Sequence, residues 1–229
     1  MNTILQIETA TTACSVALAV NGNVVASKTI NQRNIHAEVI TLYIDELLKE
    51  AGVEYTMLDA IAVSAGPGSY TGLRIGISTA KGLCFALDKP LIAIGTLEAM
   101  AKGFIASGAG QIDDNTLLCP MIDARRMEVY TALFTANGER VTETSAEIID
   151  TNSYADRLAN GKIIFFGDGA PKFEEVLTHQ NAVIVPGFVN SAEHLAQPAL
   201  QKLQAAAFED VAYYEPFYLK DFIAGKKAL

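Results

Sequence analysis

Residues 3–30 read TILQIETATTACSVALAVNGNVVASKTI, and this stretch decides the fold class. It holds three runs rich in β-branched and aliphatic residues, which predict strands at residues 3–8, 14–20 and 24–30. The dipeptide Asn21-Gly22 between the second and third runs is a strong signal for a tight hairpin turn. A helix is predicted next, over residues 35–51, because Gly52 suits the left-handed position that ends a helix.

The chain then repeats this order of elements. A first βββαβαβα unit is completed by a strand at 58–64, a helix at 72–87, a strand at 90–94 and a helix at 97–107. A polar, glycine-rich connector follows, and the second unit repeats the Asn-Gly hairpin signal at Asn137-Gly138. Its strands are predicted at 117–122, 128–134, 141–149, 162–166 and 183–185. Its helices are predicted near 153–161, where Ser153 with Asp156 forms a capping box, and at 171–178 and 191–208.

Two units with one element order predict a duplicated α/β protein. A hairpin followed by βα crossovers gives a mixed sheet with helices packed on it, so we expect two similar domains with mixed sheets. The predicted domains are residues 1–108 and 115–229, and the final segment of the second is expected to be able to pack back on the first.

Composition and charge narrow the possible functions. The 229 residues are 50% hydrophobic and carry a net charge of -9, and no long basic stripe is present. Phosphate neutralisation drives nucleic-acid binding, so this chain is not expected to hold a nucleic acid by itself. The three cysteines lie in apolar surroundings and predict no disulfide framework, which fits a reducing compartment. We expect no signal peptide, no membrane span and a cytoplasmic location.

The turn after the first strand is a candidate phosphate loop. Glu8 is followed by Thr9, Ala10, Thr11 and Thr12. Sugar kinases, actins and Hsp70-type ATPases hold metal and phosphate with an acid and hydroxyls at this point, where backbone N–H groups can cradle oxygens. Those proteins normally have Asp followed by Gly, whereas this chain has Glu8 and no glycine. A plain polar loop is the alternative.

The second half offers matching candidates. Asp123 ends its first predicted strand, where it could bind a metal–phosphate, Arg125 could clamp an anion, or the two could form an ion pair. The turn Gly167-Asp168-Gly169 could pack on an adenosine, although such a turn is also common in ordinary loops. The candidate nucleotide-binding residues are therefore Glu8, Thr11, Asp123, Gly167, Asp168 and Gly169.

A glycine-rich string joins the fourth predicted strand to the second helix. Residues 66–76 read GPGSYTGLRIG, and a helix beginning inside this string could bind an anion through its free N–H groups and its dipole. The string lacks the GxxxxGK[ST] pattern of a P-loop and is not matched as a dinucleotide fingerprint.

The string closely resembles GPGSFTGLRIG, the signature of the TsaB (YeaZ) family. The resemblance continues at residues 123–130 (DARRMEVY), 166–170 (FGDGA) and 216–219 (PFYL), so it spans the whole chain. The signature loop is Gly66, Pro67, Gly68, Ser69, Tyr70, Thr71 and Gly72. Tyr70 stands where the family usually has Phe.

The resemblance implies a fold and a function. Members of this family have the duplicated actin/Hsp70-like (ASKHA) fold and are paralogues of TsaD, which transfers threonylcarbamoyl to the tRNA adenosine beside the anticodon. They activate TsaD without catalysing the reaction, and the ATPase TsaE joins them. They also form homodimers when alone. The resemblance therefore implies contact with tRNA only through the complex and no cofactor of its own, with ATP or ADP at a junction with partner subunits left open.

Histidine spacing argues against a local metal site. TsaD-type subunits hold a metal with His-x-x-x-His on a helix, which places both rings on one face. Here His36, His179 and His194 include no pair four residues apart. This also speaks against a protease, and His36 is interpreted as a surface or interface residue. The remaining alternative is an independent ATP-dependent phosphotransferase of the actin-like fold.

Two predicted helices, 35–51 and 72–87, are apolar over a wider arc than packing on one sheet requires. Either the chain covers both faces itself or a partner covers one of them. Gly72, Gly76 and Gly82 could let another helix approach closely. The resemblance implies that both helices pair with TsaD in a four-helix bundle. The predicted interface residues are His36, Val39, Ile40, Tyr43, Leu47, Tyr70, Leu73, Arg74, Ile77 and Lys81.

Overall fold

The computed structural model describes residues 1–32 and 35–220. Its first sheet has the strand order β3-β2-β1-β4-β5. The first three strands are antiparallel neighbours, and β4 and β5 run parallel to β1. The strands are β1 (Thr3–Glu8), β2 (Ala13–Val20), β3 (Asn23–Asn31), β4 (Ala60–Gly66) and β5 (Leu91–Gly95).

The second sheet repeats the arrangement of the first. Its order is β10-β9-β6-β7-β8, so β6 takes the central place that β1 takes in the first sheet. The strands are β6 (Leu117–Asp123), β7 (Glu128–Thr131), β8 (Ser145–Ile148), β9 (Ile163–Phe166) and β10 (Ala182–Val185). The predicted α/β class with two mixed sheets is confirmed.

Helices cover the first sheet on one side and fill the space between the sheets. Helices α1 (His36–Ala51) and α2 (Tyr70–Leu87) share a core with β1 and β4. Helix α3 (Thr96–Ser107) contacts both halves, since Phe104 packs with Phe134 and Phe166 while Ala99 packs with Ile4. Helix α1 ends at Gly52, which has φ +66° as its sequence position predicted.

Several elements of the second half differ from their predictions. Only a 3-10 turn, Pro171–Phe173, forms in the predicted helix 171–178, because Phe173 and Leu177 already reach the core from that turn. The predicted helix 191–208 is divided into a 3-10 turn at Ala192–Leu195 and α5 (Ala196–Gln204). Ser153 does not cap α4 (Ala155–Asn160), because its hydroxyl donates to Asp150 instead.

Helix α5 and the residues that follow it, up to residue 219, pack on the first half of the chain. Leu195 and Ala199 fill a cluster with Ile4 and Ile92, so α5 covers the face opposite α1 and α2. Residues 209–219, here called the strap, then run past the edge of β5 and over α2. The Glu209 N–H donates to the Leu91 carbonyl at the edge strand. None of the helices in residues 1–32 and 35–220 is long and apolar enough to cross a membrane.

Candidate functional site

A cleft of about 150 Å³ lies where the two halves meet. The loop after β1 forms one wall, and the turn after β9 and the loop after β10 form the other. The structure thus brings Thr11 together with Gly167 and Asp168, as the phosphate-loop hypothesis requires. The lining residues are Thr11, Thr12, Ala13, Asn31, Met100, Gly167, Asp168, Pro171, Gly187, Phe188, Val189 and Asn190.

Glu8 is not among the residues that line the cleft. Its side chain is fully buried. One carboxyl oxygen accepts the Ala10 N–H at 2.6 Å, and the other accepts the Ser64 hydroxyl. Burial raises the pKa of Glu8, although hydrogen bonds from Ser64 and Ala10 act in the opposite direction. Glu8 is therefore not placed to hold a ligand in the cleft.

Asp123 and Asp168 are two neighbouring acidic residues near the cleft. Asp123 makes an ion pair with Lys172 at 2.6 Å and accepts the backbone N–H of Arg125 at 2.9 Å. The alternative of an Asp123–Arg125 ion pair is wrong, because Lys172 is the cation that Asp123 contacts. The Asp168 carboxylate accepts the Asp123 N–H at 3.1 Å. Sheltering of this carboxylate from water raises the pKa of Asp168, and the charge of Asp123 adds to the effect.

The two glycines of the Gly-Asp-Gly turn lie in close contact with other segments of the chain. A Cβ on Gly167 would lie 2.4 Å from the Met121 carbonyl oxygen, and one on Gly169 would lie 2.7 Å from the Val129 side chain. The turn therefore lies tightly on the sheet. Phe188 and Asn190, which follow β10, were not predicted, because no local sequence pattern marks them as cleft residues.

The cleft is small for an organic ligand. Sites that bind drug-sized ligands or cofactors typically enclose ~300–1,000 Å³, and this cleft has about 150 Å³. Within residues 1–32 and 35–220, no three His, Cys, Asp or Glu side chains are grouped closely enough to hold a metal ion. The polar residues that line the cleft, Thr11 and Asp168 among them, could contact a small polar molecule.

The signature loop packs against the loop after β1. A Cβ on Gly68 would lie 2.4 Å from the Ala10 carbonyl oxygen, and one on Gly72 would lie 2.1 Å from that of Thr9. The Ser69 N–H donates to the Ala10 carbonyl at 2.7 Å, and the Ser69 hydroxyl accepts the Gly72 N–H as the cap of α2. These donors are thus used inside the chain, and the start of α2 is not an open anion site.

Gly66 and Tyr70 tie the same loop to the strap. A Cβ on Gly66 would lie 2.4 Å from the Phe217 carbonyl oxygen, and the Phe217 N–H donates to the Ala65 carbonyl. The rings of Tyr70 and Tyr218 lie 4.7 Å apart between centroids. Of the other two loop residues, Pro67 is buried and Thr71 is exposed. The glycine-rich string therefore holds three segments of the chain together.

An apolar groove of about 220 Å³ separates the outer faces of α1 and α2. Three large apolar side chains of α1, α2 and the turn after α1 face solvent, although they are not among the residues that line the groove: Phe85 is 85% exposed, Leu42 59% and Met57 54%. Gly82 lies in the groove, and a Cβ there would meet no atom within 4 Å. The residues that line the groove are Thr41, Ile44, Tyr55, Ser78, Thr79, Gly82 and Leu83.

The predicted interface residues fall into two groups. Five of them are buried inside this chain: His36, Ile40, Leu47, Leu73 and Ile77. The His36 ring lies 3.0 Å from the Thr11 carbonyl, so its interpretation as a surface residue is wrong. The other five are at least partly exposed: Val39, Tyr43, Tyr70, Arg74 and Lys81.

Two of the exposed residues already have contacts within the chain. The Arg74 guanidinium lies 4.7 Å from the Tyr70 ring centroid, and Lys81 donates to the carbonyls of Ala212 and Tyr214 in the strap. Leu42, Phe85 and Met57 were not among the interface residues predicted from the sequence. The apolar arcs of the two helices contained the signal for Leu42 and Phe85, but periodicity alone did not say which side faced outward.

Comparison with known proteins identifies the family. Residues 23–227 match the family described as TsaD, tRNA N6-adenosine threonylcarbamoyltransferase. The tRNA threonylcarbamoyladenosine biosynthesis protein TsaB of Escherichia coli is 33% identical over 230 residues, covering 98% of this chain and 97% of the relative. The chain belongs to the TsaB family. The TsaB of Bacillus subtilis is 30% identical, covering 95% and 94% of the two chains.

Solved structures agree with this assignment to the TsaB family. YeaZ from Pseudomonas aeruginosa has a TM-score of 0.81 at 28% identity, covering 96% of this chain and 100% of that one. The activator of the 2-hydroxyisocaproyl-CoA dehydratase from Clostridium difficile has a TM-score of 0.52 at 11% identity, which shows a shared fold alone. The tRNA N6-adenosine threonylcarbamoyltransferase of Geobacillus kaustophilus is 39% identical over 107 aligned positions, covering 40% of this chain and 31% of that relative.

Proposed function

We propose that this chain is a non-catalytic subunit that activates threonylcarbamoylation of the tRNA adenosine next to the anticodon. It pairs with a TsaD-type catalytic subunit through the groove between α1 and α2, and a TsaE-type ATPase joins the pair. Two copies pair through the same groove when the catalytic subunit is absent. The chain meets tRNA only through the complex, and ATP or ADP binds, if at all, at a junction between subunits.

The exposed apolar side chains of α1 and α2, together with the groove between these helices, are the observation that carries this proposal. Phe85 and Leu42 are large apolar side chains that face solvent on neighbouring helices, although a monomer gains stability by burying such groups. Aromatic side chains at the centre of an interface commonly carry much of the binding energy. A helix pair from a partner would cover both residues at once.

Gly82 also supports a partner surface at the groove, because no contact within the chain requires a glycine there. Glycine inside a helix costs about 1 kcal/mol relative to alanine. Gly72 and Gly76 have a reason within the chain, since a Cβ on either would collide with Thr9. Gly82 has none, because a Cβ there would lie in open space within the groove. Close approach of a partner helix accounts for a small residue at this position.

The cleft supports a role without chemistry of its own. The acid expected to handle phosphate or metal, Glu8, is buried and engaged by Ala10 and Ser64. Asp123 is paired with Lys172. An independent phosphotransferase would need an acid that reaches its nucleotide, and neither side chain is disposed in that way. Tight binding of Mg–ATP by the chain alone would favour that alternative.

Transfer of threonylcarbamoyl to tRNA tests the proposal directly. The reaction mixture contains the TsaD-type subunit of the same organism, the adenylate synthase and TsaE, with or without this chain. We expect product only when the chain is present. Phe85→Asp places a charge on the exposed face of α2, so it should abolish co-elution with the TsaD-type subunit and lower activity at least tenfold. The variant should stay folded because Phe85 is 85% exposed.

Ile148→Asp is the matched control. Ile148 is also a large apolar residue, 74% exposed, but it lies on β8 of the second sheet. This variant should keep both pairing and activity. Full co-elution of folded Phe85→Asp would refute the groove assignment. Loss of activity in Asp123→Ala with pairing intact would contradict the non-catalytic role.

A further inference from the structure

The loop after β1 already contains an acceptor for its own N–H groups. The Ala10 N–H donates to a carboxyl oxygen of Glu8 at 2.6 Å, and the Thr9 N–H points to the same carboxyl group. Successive backbone N–H groups that converge in this way form a concave site for an anion or another oxygen acceptor. In this chain the Glu8 side chain occupies that site.

The same carboxyl group also reaches two other segments. Its second oxygen accepts the Ser64 hydroxyl of β4, and the Asn190 side chain lies close to the carboxyl group, although its Nδ2 has no hydrogen-bond partner. Asn190 follows β10 of the second half and lines the cleft. Glu8 therefore joins the loop to the first sheet and lies next to Asn190 of the opposite wall, with both Glu8 and Asn190 buried.

The second half contains a similar contact that differs in burial. Asp123 ends β6 as Glu8 ends β1, and it accepts the N–H of the residue two positions on, Arg125, at 2.9 Å. Asp123 is exposed and its charge is balanced by Lys172. The contact in the first half is closed off from solvent, whereas the contact in the second half is open to it.

We propose that the Glu8 carboxyl group is a permanent internal ligand of the first loop, filling the position in which a bound carboxylate or other small oxyanion would otherwise accept the donors of Ala10 and Ser64. The loop is an anion site that the chain itself occupies. The proposal concerns contacts inside this chain and holds whether or not the chain pairs with a TsaD-type subunit.

Removal of the side chain should open the site to a free carboxylate. Glu8→Ala leaves the donors of Thr9, Ala10 and Ser64 without their acceptor, so its melting temperature should fall below that of the wild-type chain. Sodium formate should raise that temperature with saturation at a single site, relative to sodium chloride at equal ionic strength. The wild-type chain and Glu8→Gln should show no such formate effect, because the site is still filled.

Asp123→Ala is the control for formate binding elsewhere. It also removes a carboxylate that accepts a backbone N–H, but from an exposed site, so formate should not raise its melting temperature. A folded Glu8→Ala variant with no formate-specific stabilisation would overturn the proposal, as would an equal response in the wild-type chain.

Hydrogen exchange gives an independent test in case Glu8→Ala does not fold. The Ala10 amide of the wild-type chain should be protected by its bond to the buried carboxyl group, and Glu8→Gln should keep that protection because an amide oxygen can accept the same bond. Exchange of the Ala10 amide at the rate of an exposed loop in the wild-type chain would overturn the proposal.

Discussion

At the scale of single residues, exposure separates apolar side chains that the sequence treats alike. Ile40 and Leu42 lie two positions apart on α1, yet Ile40 is 2% exposed and Leu42 is 59% exposed. Hydrophobic periodicity predicted an amphipathic helix with a wide apolar arc. It could not predict which part of that arc the chain covers, because this depends on how the helix is rotated against the sheet.

Asp substitutions at these two positions should have different effects. Ile40→Asp places a carboxylate in the core and removes a packed side chain, so we expect it to lower the unfolding free energy by at least ~4 kcal/mol. Leu42→Asp should stay within ~0.5 kcal/mol of the wild-type chain, as exposed substitutions usually do, and should weaken pairing. Urea unfolding and co-elution with the TsaD-type subunit measure both effects. A stable Ile40→Asp variant would contradict the burial described for α1.

At the scale of elements, the three glycines of α2 have two different roles. Gly72 and Gly76 make room for the loop after β1, where a Cβ on Gly76 would lie 2.2 Å from the Thr9 hydroxyl oxygen. Gly82 faces the groove. The sequence predicted close approach at all three positions, but only the folded chain shows that Gly72 and Gly76 accommodate an internal neighbour.

Alanine at two of these glycines provides a matched pair. Gly82→Ala should raise the unfolding free energy by about 1 kcal/mol through helix propensity, and it should weaken pairing because the added methyl group enters the groove. Gly76→Ala should lower the unfolding free energy by about 1–3 kcal/mol through overpacking against Thr9. Denaturant unfolding and co-elution assays measure the two effects. Destabilisation by Gly82→Ala would show that the groove is filled within the chain.

Much of the fold could be predicted because local signals agreed with tertiary packing. The strand Thr3–Glu8 matches its predicted bounds, and Gly52 ends α1 as expected. The predicted helix at 171–178 is wrong because a single turn already places Phe173 and Leu177 in the core. Of the cleft, Thr11 and Asp168 were predicted, but Asn190 reaches it only through the path of the chain after β10.

At the scale of the whole molecule, a histidine lies at the junction between the halves. The His194 ring stacks on Phe188 at 5.1 Å and lies against the backbone of Gly103 on α3. Its Nδ1 accepts the Ser191 N–H at 3.3 Å, so this nitrogen carries no proton. Burial lowers the pKa of His194 to about 4.

Acid should therefore weaken this junction. The unfolded chain takes up a proton at His194 as the pH falls through about 6.5, whereas the folded chain does so only near 4, so stability falls across this window. The loss should reach about 2 kcal/mol near pH 5. Glu8, whose pKa burial raises, acts in the opposite direction, so the comparison needs a variant.

His194→Gln should remove this part of the pH dependence. Urea unfolding near pH 7 and near pH 5 gives the slope for the wild-type chain and the variant, and exposed His179→Gln serves as the control. We expect the wild-type chain and His179→Gln to lose about 2 kcal/mol more than His194→Gln does between these values. Equal losses in all three proteins would contradict a neutral His194 in the folded state.

The packing of α5 and the turn before it on the first sheet has a consequence for synthesis on the ribosome. Ile4 and Ile92 are made well before Leu195 and Ala199, which cover them. The first half therefore cannot complete its core when it leaves the ribosome, and its apolar face stays open until α5 has emerged. Chains that end before α5 should aggregate, and the nascent protein is expected to depend on chaperones until α5 has been made.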